Sequence, residues 1–167
     1  MKTVLLMRHA KSSWKDHELP DMERPLNKRG KKDAPRLGSL LFDKELVPQM
    51  IISSPALRAK MTAETIAEKI GFKDGIHYDD CFYLAEPDVY ANALMKLPDE
   101  VERVLLVGHN PGLEGLVQIL SGQVESLPAG AIAYLVLPVK QWSDIDDHTR
   151  GEIIQLWAPR DLKENSN

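Results

Sequence analysis

The chain has 167 residues, 43% hydrophobic and 28% charged, and its 21 basic against 25 acidic side chains leave a formal charge of −4. That length suits one α/β domain with a well-buried core, while the acidic balance excludes a broad basic face for nucleic acid and leaves room only for a local basic pocket. No apolar run reaches membrane-spanning length, the four-residue run before Arg8 is too short for a secretory leader, and Cys81 has no partner cysteine, so a cytoplasmic protein touching neither nucleic acid nor membrane is expected.

Residues 3–8 are predicted as the first strand. Val4-Leu5-Leu6-Met7 has the continuous apolar pattern of a strand buried on both faces of a mostly parallel sheet, and it runs straight into Arg8 and His9. A long polar loop follows from Ala10 to Asn27, punctuated by Pro20 and Pro25. Loops of that length inside compact domains are more often functional than accidental. A helix is expected within Lys28–Lys44, with Leu37, Leu40 and Leu41 on its inner face; Pro35 would be tolerated near its start but would bend its interior.

Met50-Ile51-Ile52-Ser53 reads as a second strand, and Ser54-Pro55 as an N-cap with proline at the first helical position. Ala59, Ala63, Ile66 and Ile70 keep helical spacing up to Gly71, a natural stop. A weak strand over His77–Phe82 comes next, then a helix from about Pro87 to Lys96 with Val89, Ala93 and Leu97 aligned. The strand at 103–108 repeats the construction of the first: Val104-Leu105-Leu106-Val107 passes through Gly108 into His109. Asn110-Pro111 reads as a second cap-plus-proline pair, ahead of a helix burying Leu113, Leu116, Val117 and Leu120. Two last strands, Ala131–Leu137 and Glu152–Trp157, suit a hairpin at the sheet edge. The expected fold is an α/β three-layer sandwich whose central sheet is mostly parallel with an antiparallel edge strand. One domain spans residues 1–160 and a tail 161–167, of which Lys163–Asn167 is expected to be disordered.

Sheets of this kind bind ligands outside the carboxyl ends of their strands, which is where His9 and His109 fall. Arg8 lies beside the first histidine, and Arg58 falls in the first turn of the helix after the second strand. Helix starts offer free N–H groups to an anion, and guanidinium groups are planar, permanently charged donors suited to phosphate oxygens. A lone arginine is ordinarily a surface ion pair; two arginines with two histidines at strand and helix ends point instead to an anion site. A neutral imidazole can attack phosphorus, and nearby arginines keep it neutral. The same donors stabilise the charge of a transferring phosphoryl group. No third ligand is spaced for zinc and the arginines would repel a cation, so no metal and no cofactor are expected.

Three segments carry a resemblance: Leu6-Met7-Arg8-His9-Ala10; Ser53-Ser54-Pro55-Ala56-Leu57-Arg58-Ala59 with Thr62-Ala63; and Val107-Gly108-His109-Asn110-Pro111-Gly112. In this order, over nearly the whole chain, they resemble the histidine phosphatase superfamily. The short length and the Arg24-Pro25-Leu26-Asn27 segment with Arg29-Gly30 resemble its SixA-type phosphohistidine phosphatases. The resemblance implies a phosphoglycerate-mutase-like sandwich, with His9 as the transiently phosphorylated nucleophile and Arg8, Arg58 and His109 as its catalytic partners binding the phosphoryl oxygens.

Two positions depart from the family pattern. Ala10 stands where the superfamily commonly has glycine, a small change. Larger relatives place a Glu or Asp mid-chain to protonate an alkoxide leaving group. Glu86 matches that position only loosely, and it reads more readily as an exposed acid at a helix start. An alkoxide leaves poorly without a proton, whereas the imidazole of a phosphoramidate leaves well, so a missing acid favours a phosphohistidine substrate. The implied activity is a metal-independent, cofactor-free phosphohistidine phosphatase acting through a phosphohistidine enzyme intermediate. Its expected partner is a phosphorylated protein, such as a histidine phosphorelay or carrier domain. A small-molecule phosphomonoesterase and a non-catalytic phosphate-recognition module are the alternatives.

The remaining polar loop residues are less determined. Lys11, Ser12, Ser13 and Lys15 can rim a phosphate pocket, Ser12 as a candidate substrate-binding residue, or they can be solvated loop. Trp14 can pack against Leu19 or Met22, or form a docking surface. Asp21 and Arg24 suit an ion pair that ties the loop down, and Arg24 or Asn27 can approach the pocket. Cys81, in an apolar and aromatic neighbourhood, is expected to be a buried, inert thiol, and His17, His77 and His148 to lie at the surface.

Overall fold

The computed structural model describes residues 1–162. Among these residues six strands and four α-helices follow in the order β1 (Lys2–Arg8), α1 (Lys28–Asp43), β2 (Met50–Ser53), α2 (Leu57–Ile70), β3 (His77–Tyr78), α3 (Pro87–Met95), β4 (Arg103–Gly108), α4 (Gly112–Ser121), β5 (Ile132–Leu137) and β6 (Glu152–Trp157). The strands form one sheet in the order β3-β2-β4-β1-β5-β6. β1, β2, β3 and β4 pair in parallel, and β5 runs antiparallel to both β1 and β6. The reversed strand is therefore β5, one place in from the edge.

Continuous apolar runs place β1 and β4 at the centre because each residue has a core to enter on either face. Val4, Leu6, Val104 and Leu106 pack with Leu94, Leu113, Leu116 and Val117, under α3 and α4. Leu5, Met7, Leu105 and Val107 point the other way, against Leu37, Leu41, Ala59, Ala63 and Ile66 of α1 and α2. Each fully buried aliphatic side chain of this set contributes about 1.5–3 kcal/mol of transfer free energy. The in-register pairing of β1 with β4 sets Arg8 opposite Gly108, so the residues that follow both strands emerge side by side.

The loop after β1 is pinned along its length. Ser13 N–H donates to Pro25 O (2.8 Å), Asn27 N–H donates to Lys11 O (2.9 Å), and Ser12 bridges to Leu26. Asn27 caps α1 by accepting from Gly30 N–H at 2.8 Å. Gly30 is required there, since a Cβ on it would lie 2.1 Å from Lys11 O. α1 continues unbroken through Pro35, because the buried Leu37 and Leu41 face outweighs the lost hydrogen bond.

Several local expectations are corrected. α2 begins at Leu57 with Ala56 at the cap position and no side-chain cap, so Ser54 is not the helix cap. α4 begins at Gly112 after Pro111, and the Asn110 amide donates instead to Leu127 O at 2.8 Å. The strand expected over His77–Phe82 shrinks to His77–Tyr78 and is followed by a 3-10 turn at Asp80–Phe82. In that turn Phe82 takes the buried position and Cys81 is exposed, against the buried thiol expected. Gly71 does end α2, in the left-handed conformation that glycine adopts at no steric cost. Of the expected tail, Leu162 is held through its carbonyl by Arg36 at 2.9 Å, and Lys163–Asn167 lie outside the described residues. Among those described, no helix is long and apolar enough to cross a membrane.

Candidate active site

His9 follows β1 directly, and its N–H donates to Gly108 O at 3.1 Å. Its Nδ1 lies 2.7 Å from Ala10 O; a carbonyl can only accept, so Nδ1 carries the ring proton and Nε2 keeps a lone pair. Ala10 N–H donates to Thr62 Oγ1 at 3.0 Å, and the Thr62 hydroxyl donates to Arg58 O at 2.8 Å. Thr62 thus couples the strand end that carries His9 to the first turn of α2 that carries Arg58.

His109 leaves β4 beside it, with the two ring centroids 5.2 Å apart. Its Nε2 is hydrogen-bonded to Ser54 Oγ at 2.7 Å, and its N–H donates to the hydroxyl of Tyr90 at 3.1 Å. The Ser54 hydroxyl oxygen also accepts from Ala56 N–H at 3.2 Å. A residue that reads as a helix cap therefore orients an imidazole.

Both rings are almost wholly buried, His9 at 8% and His109 at 2% exposure. Burial pushes the His9 pKa down to about 4, with the charges of Arg58, Arg8 and Arg24 lowering it further and the Ala10 bond opposing. Burial likewise takes His109 down to about 3, assisted by His9, Arg58 and Arg8. Both imidazoles are neutral at neutral pH.

These groups line a cleft of about 610 Å³, along with Arg8, Ser12, Asp21, Arg24 and Arg58. Arg8 donates through Nη1 to Leu127 O at 3.2 Å, and its buried Nε has no hydrogen-bond partner among the described residues. Arg58 donates to the carbonyl of Asp21 at 2.7 Å and to its Oδ2 at 3.0 Å. Arg24 donates to Asp21 Oδ1 at 2.9 Å, to Ser13 O at 3.0 Å and to Ser12 Oγ at 2.6 Å. The Tyr83 hydroxyl donates to Asp21 Oδ2. The Tyr83 bond, followed by those from Arg24 and Arg58, holds the Asp21 carboxyl well below the usual carboxylate range.

The cleft brings together His9, Arg8, Arg58, His109 and Ser12, as well as Lys11, Ser13, Lys15, Arg24 and Asn27 of the preceding loop. Glu86 is not among its lining residues; it is exposed at the head of α3 and makes no side-chain cap. The expected Asp21–Arg24 pair forms at 2.9 Å. His17, His77 and His148 are exposed. Among the described residues, no group of three or more His, Cys, Asp or Glu side chains is arranged to hold a metal ion. Sequence reasoning missed Tyr83, Tyr90 and the role of Ser54, whose partners are distant in the chain. Thr62 did carry a signal, because a residue four positions beyond Arg58 shares its helix face.

The family model of the histidine phosphatase superfamily (branch 1) matches residues 4–83. An uncharacterized chloroplastic protein of Arabidopsis thaliana is 32% identical over 153 residues, covering 86% of this chain and 70% of that protein. An uncharacterized protein of Mycobacterium leprae is 32% identical over 120 residues, covering 70% and 71%. Among solved structures, a candidate phosphohistidine phosphatase SixA of Agrobacterium tumefaciens superposes with a TM-score of 0.82 at 28% identity, over 95% of this chain and 98% of that one. A protein histidine phosphatase SixA complexed with tungstate shares the fold at a TM-score of 0.84 and 23% identity, over 96% and 99%.

The fold and the sequence likeness define a histidine-phosphatase-type hydrolase, and the chain belongs to the histidine phosphatase superfamily. Within that superfamily it resembles the SixA-type phosphohistidine phosphatases.

Proposed function

We propose that the protein hydrolyses phosphohistidine on a partner protein through a covalent intermediate on His9. His9 Nε2 attacks phosphorus, and the P–N bond of the substrate breaks with its electron pair going to the departing imidazole. That imidazole leaves neutral when its other ring nitrogen already holds a proton. Water then attacks phosphorylated His9, releasing inorganic phosphate and restoring the ring. Arg8, Arg58 and His109 bind the phosphoryl oxygens, and the guanidinium groups neutralise charge spread over them in the transition state.

One observation carries the choice of leaving group. Among the described residues lining the cleft, Asp21 is the carboxylate, and two arginines with a tyrosine hydroxyl hold it ionised. An ionised carboxylate cannot donate the proton that an alkoxide needs. An imidazole needs none from the enzyme, so a phosphoramidate fits this site better than a sugar phosphate. The SixA likeness supports the same reading and makes a phosphorelay or carrier domain the natural class of partner.

A substrate panel at equal concentration tests this: a histidine-phosphorylated protein, phosphoramidate, an aryl phosphate and phosphosugars. The expected order is both phosphoramidates first, then the aryl ester, then the sugars, with the sugars slower by about 10²-fold or more, the usual contribution of a general acid. Phosphosugars turned over as fast as phosphohistidine would overturn the proposal and favour a small-molecule phosphomonoesterase.

A further inference from the structure

The mouth of the cleft carries features that phosphoryl transfer does not use. Trp14 is 68% exposed although its loop is pinned on both sides of it. The Arg24 guanidinium stacks on the ring at 3.2 Å from its centroid, and Arg24 is itself held by Ser12, Ser13 and Asp21. The indole is thus presented to solvent on a rigid support. Leu84, distant from Trp14 in the sequence, lines the same cleft and is also exposed, at 57%. Its φ of 49° is an uncommon conformation for a residue with a side chain, of the kind that gathers at functional sites.

Charge at the mouth is strongly one-sided. Among the described lining residues, the five cations Arg8, Lys11, Lys15, Arg24 and Arg58 outnumber the one carboxylate, Asp21, a surplus of four positive charges on a chain whose formal charge is −4. A phosphoryl group brings at most about two negative charges, so positive charge is left over at the rim. A second hollow of about 370 Å³ continues past Arg8, sharing Arg8, Lys11 and Ala129 with the cleft and adding Arg29, Asp33 and Arg160. Its acid, Asp33, is already paired with Arg29 and Arg36. Arg160 is 82% exposed and, among the described residues, its ion pair is a 4.0 Å contact to the exposed Asp161.

We propose that this rim is a docking surface for an acidic segment of the partner protein that flanks the phosphorylated histidine, with Trp14 as its apolar anchor, Lys15 reading a carboxylate at the cleft and Arg160 reading another at the adjoining hollow. The inference rests on the phosphohistidine reading above. Tryptophan and arginine are the side chains that most often anchor protein interfaces, and rim charges select partners through complementary potential.

Two synthetic peptides with the same phosphohistidine, one flanked by glutamates and one by lysines, test it against phosphoramidate as a small control. The wild-type protein should prefer the acidic peptide by about tenfold in kcat/KM, a preference that salt at about 0.5 M removes. The Lys15→Glu/Arg160→Glu variant should lose that preference, with acidic-peptide turnover falling about tenfold more than phosphoramidate turnover. Trp14→Ala should raise KM for both peptides relative to phosphoramidate. Equal rates on the two peptides, or equal losses on peptide and phosphoramidate, overturn the docking surface and leave the phosphohistidine reading standing. Failure of the wild-type protein on both peptides and on phosphoramidate overturns that reading and the docking surface together.

Discussion

At the scale of single residues, the decisive property of His9 is that it stays unprotonated with a fixed tautomer. The Ala10 carbonyl holds the Nδ1 proton, and burial with three neighbouring guanidiniums keeps the ring neutral. Histidine-ring NMR of the free protein should therefore show midpoints of about 4 for His9 and about 3 for His109; a midpoint near the ordinary 6.5 for either would contradict the described burial. Glu86, exposed and outside the cleft, should be dispensable: Glu86→Gln should hydrolyse phosphohistidine within a few-fold of wild type, where a general acid would cost about 10²–10⁴-fold. Asp21 has two opposed effects. Its carboxylate occupies Arg58, which on the proposed reading makes it a competitor of phosphate, yet it also neutralises the buried Arg24 and Arg58. Asp21→Asn should tighten inhibition by inorganic phosphate while lowering stability by about 1–2 kcal/mol, less than a fully buried pair because the carboxylate is partly solvated. Weaker phosphate inhibition in that variant would show that Asp21 chiefly aims Arg58 at the ligand.

At the scale of elements, the strands that end at the two histidines were the most legible. Val4–Met7 and Val104–Val107 have a pattern that admits few readings, and their ends deliver His9 and His109. Ends governed by caps were less legible. Ser54-Pro55 satisfies every local rule for a helix start, but the chain bends through Pro55 and Ala56 before the helix begins at Leu57, and the Ser54 hydroxyl goes to His109, 55 positions away. Cys81 was misjudged for a similar reason: in a short turn the neighbouring Phe82 takes the buried site. The join between α1 and the loop after β1 is tight enough to test. Gly30→Ala places a methyl group against Lys11 O, so it should cost about 1–3 kcal/mol and lower kcat by displacing the loop behind His9. Denaturant unfolding and turnover measured together check this; an unchanged midpoint would show that the loop yields.

For the whole molecule, the fold class was readable because alternating strand and helix patterns leave few topologies open. Long-range polar ties were not. Lys2 is 2% exposed, its ammonium donating to Asp99 O at 2.6 Å across 97 positions, and nothing in Met1-Lys2-Thr3 announces it. The Asp21–Tyr83 contact joins residues 62 positions apart and was equally invisible. Global stability should carry the imprint of the two buried histidines. Their folded pKa values lie below the unfolded value of 6.5, so between pH 6.5 and about 4 the unfolded chain binds more protons. Stability is then full above pH 6.5 and falls on acidification, by up to about 1.4 kcal/mol per pH unit for each ring. The melting temperature should drop from pH 7 to pH 4.5 in wild type, and less steeply in the His9→Asn/His109→Asn variant. Parallel slopes would mean that neither ring titrates as described.

The most direct measurement is the site of the covalent intermediate. Rapid mixing with labelled phosphoramidate, quenching in alkali where phosphohistidine survives, and mapping of the label by mass spectrometry would locate the phosphoryl group. The expected result is one phosphoryl group on His9, absent from His9→Ala and formed fast enough to account for turnover. Label on another residue, or turnover with no labelled protein, would contradict the role given to His9.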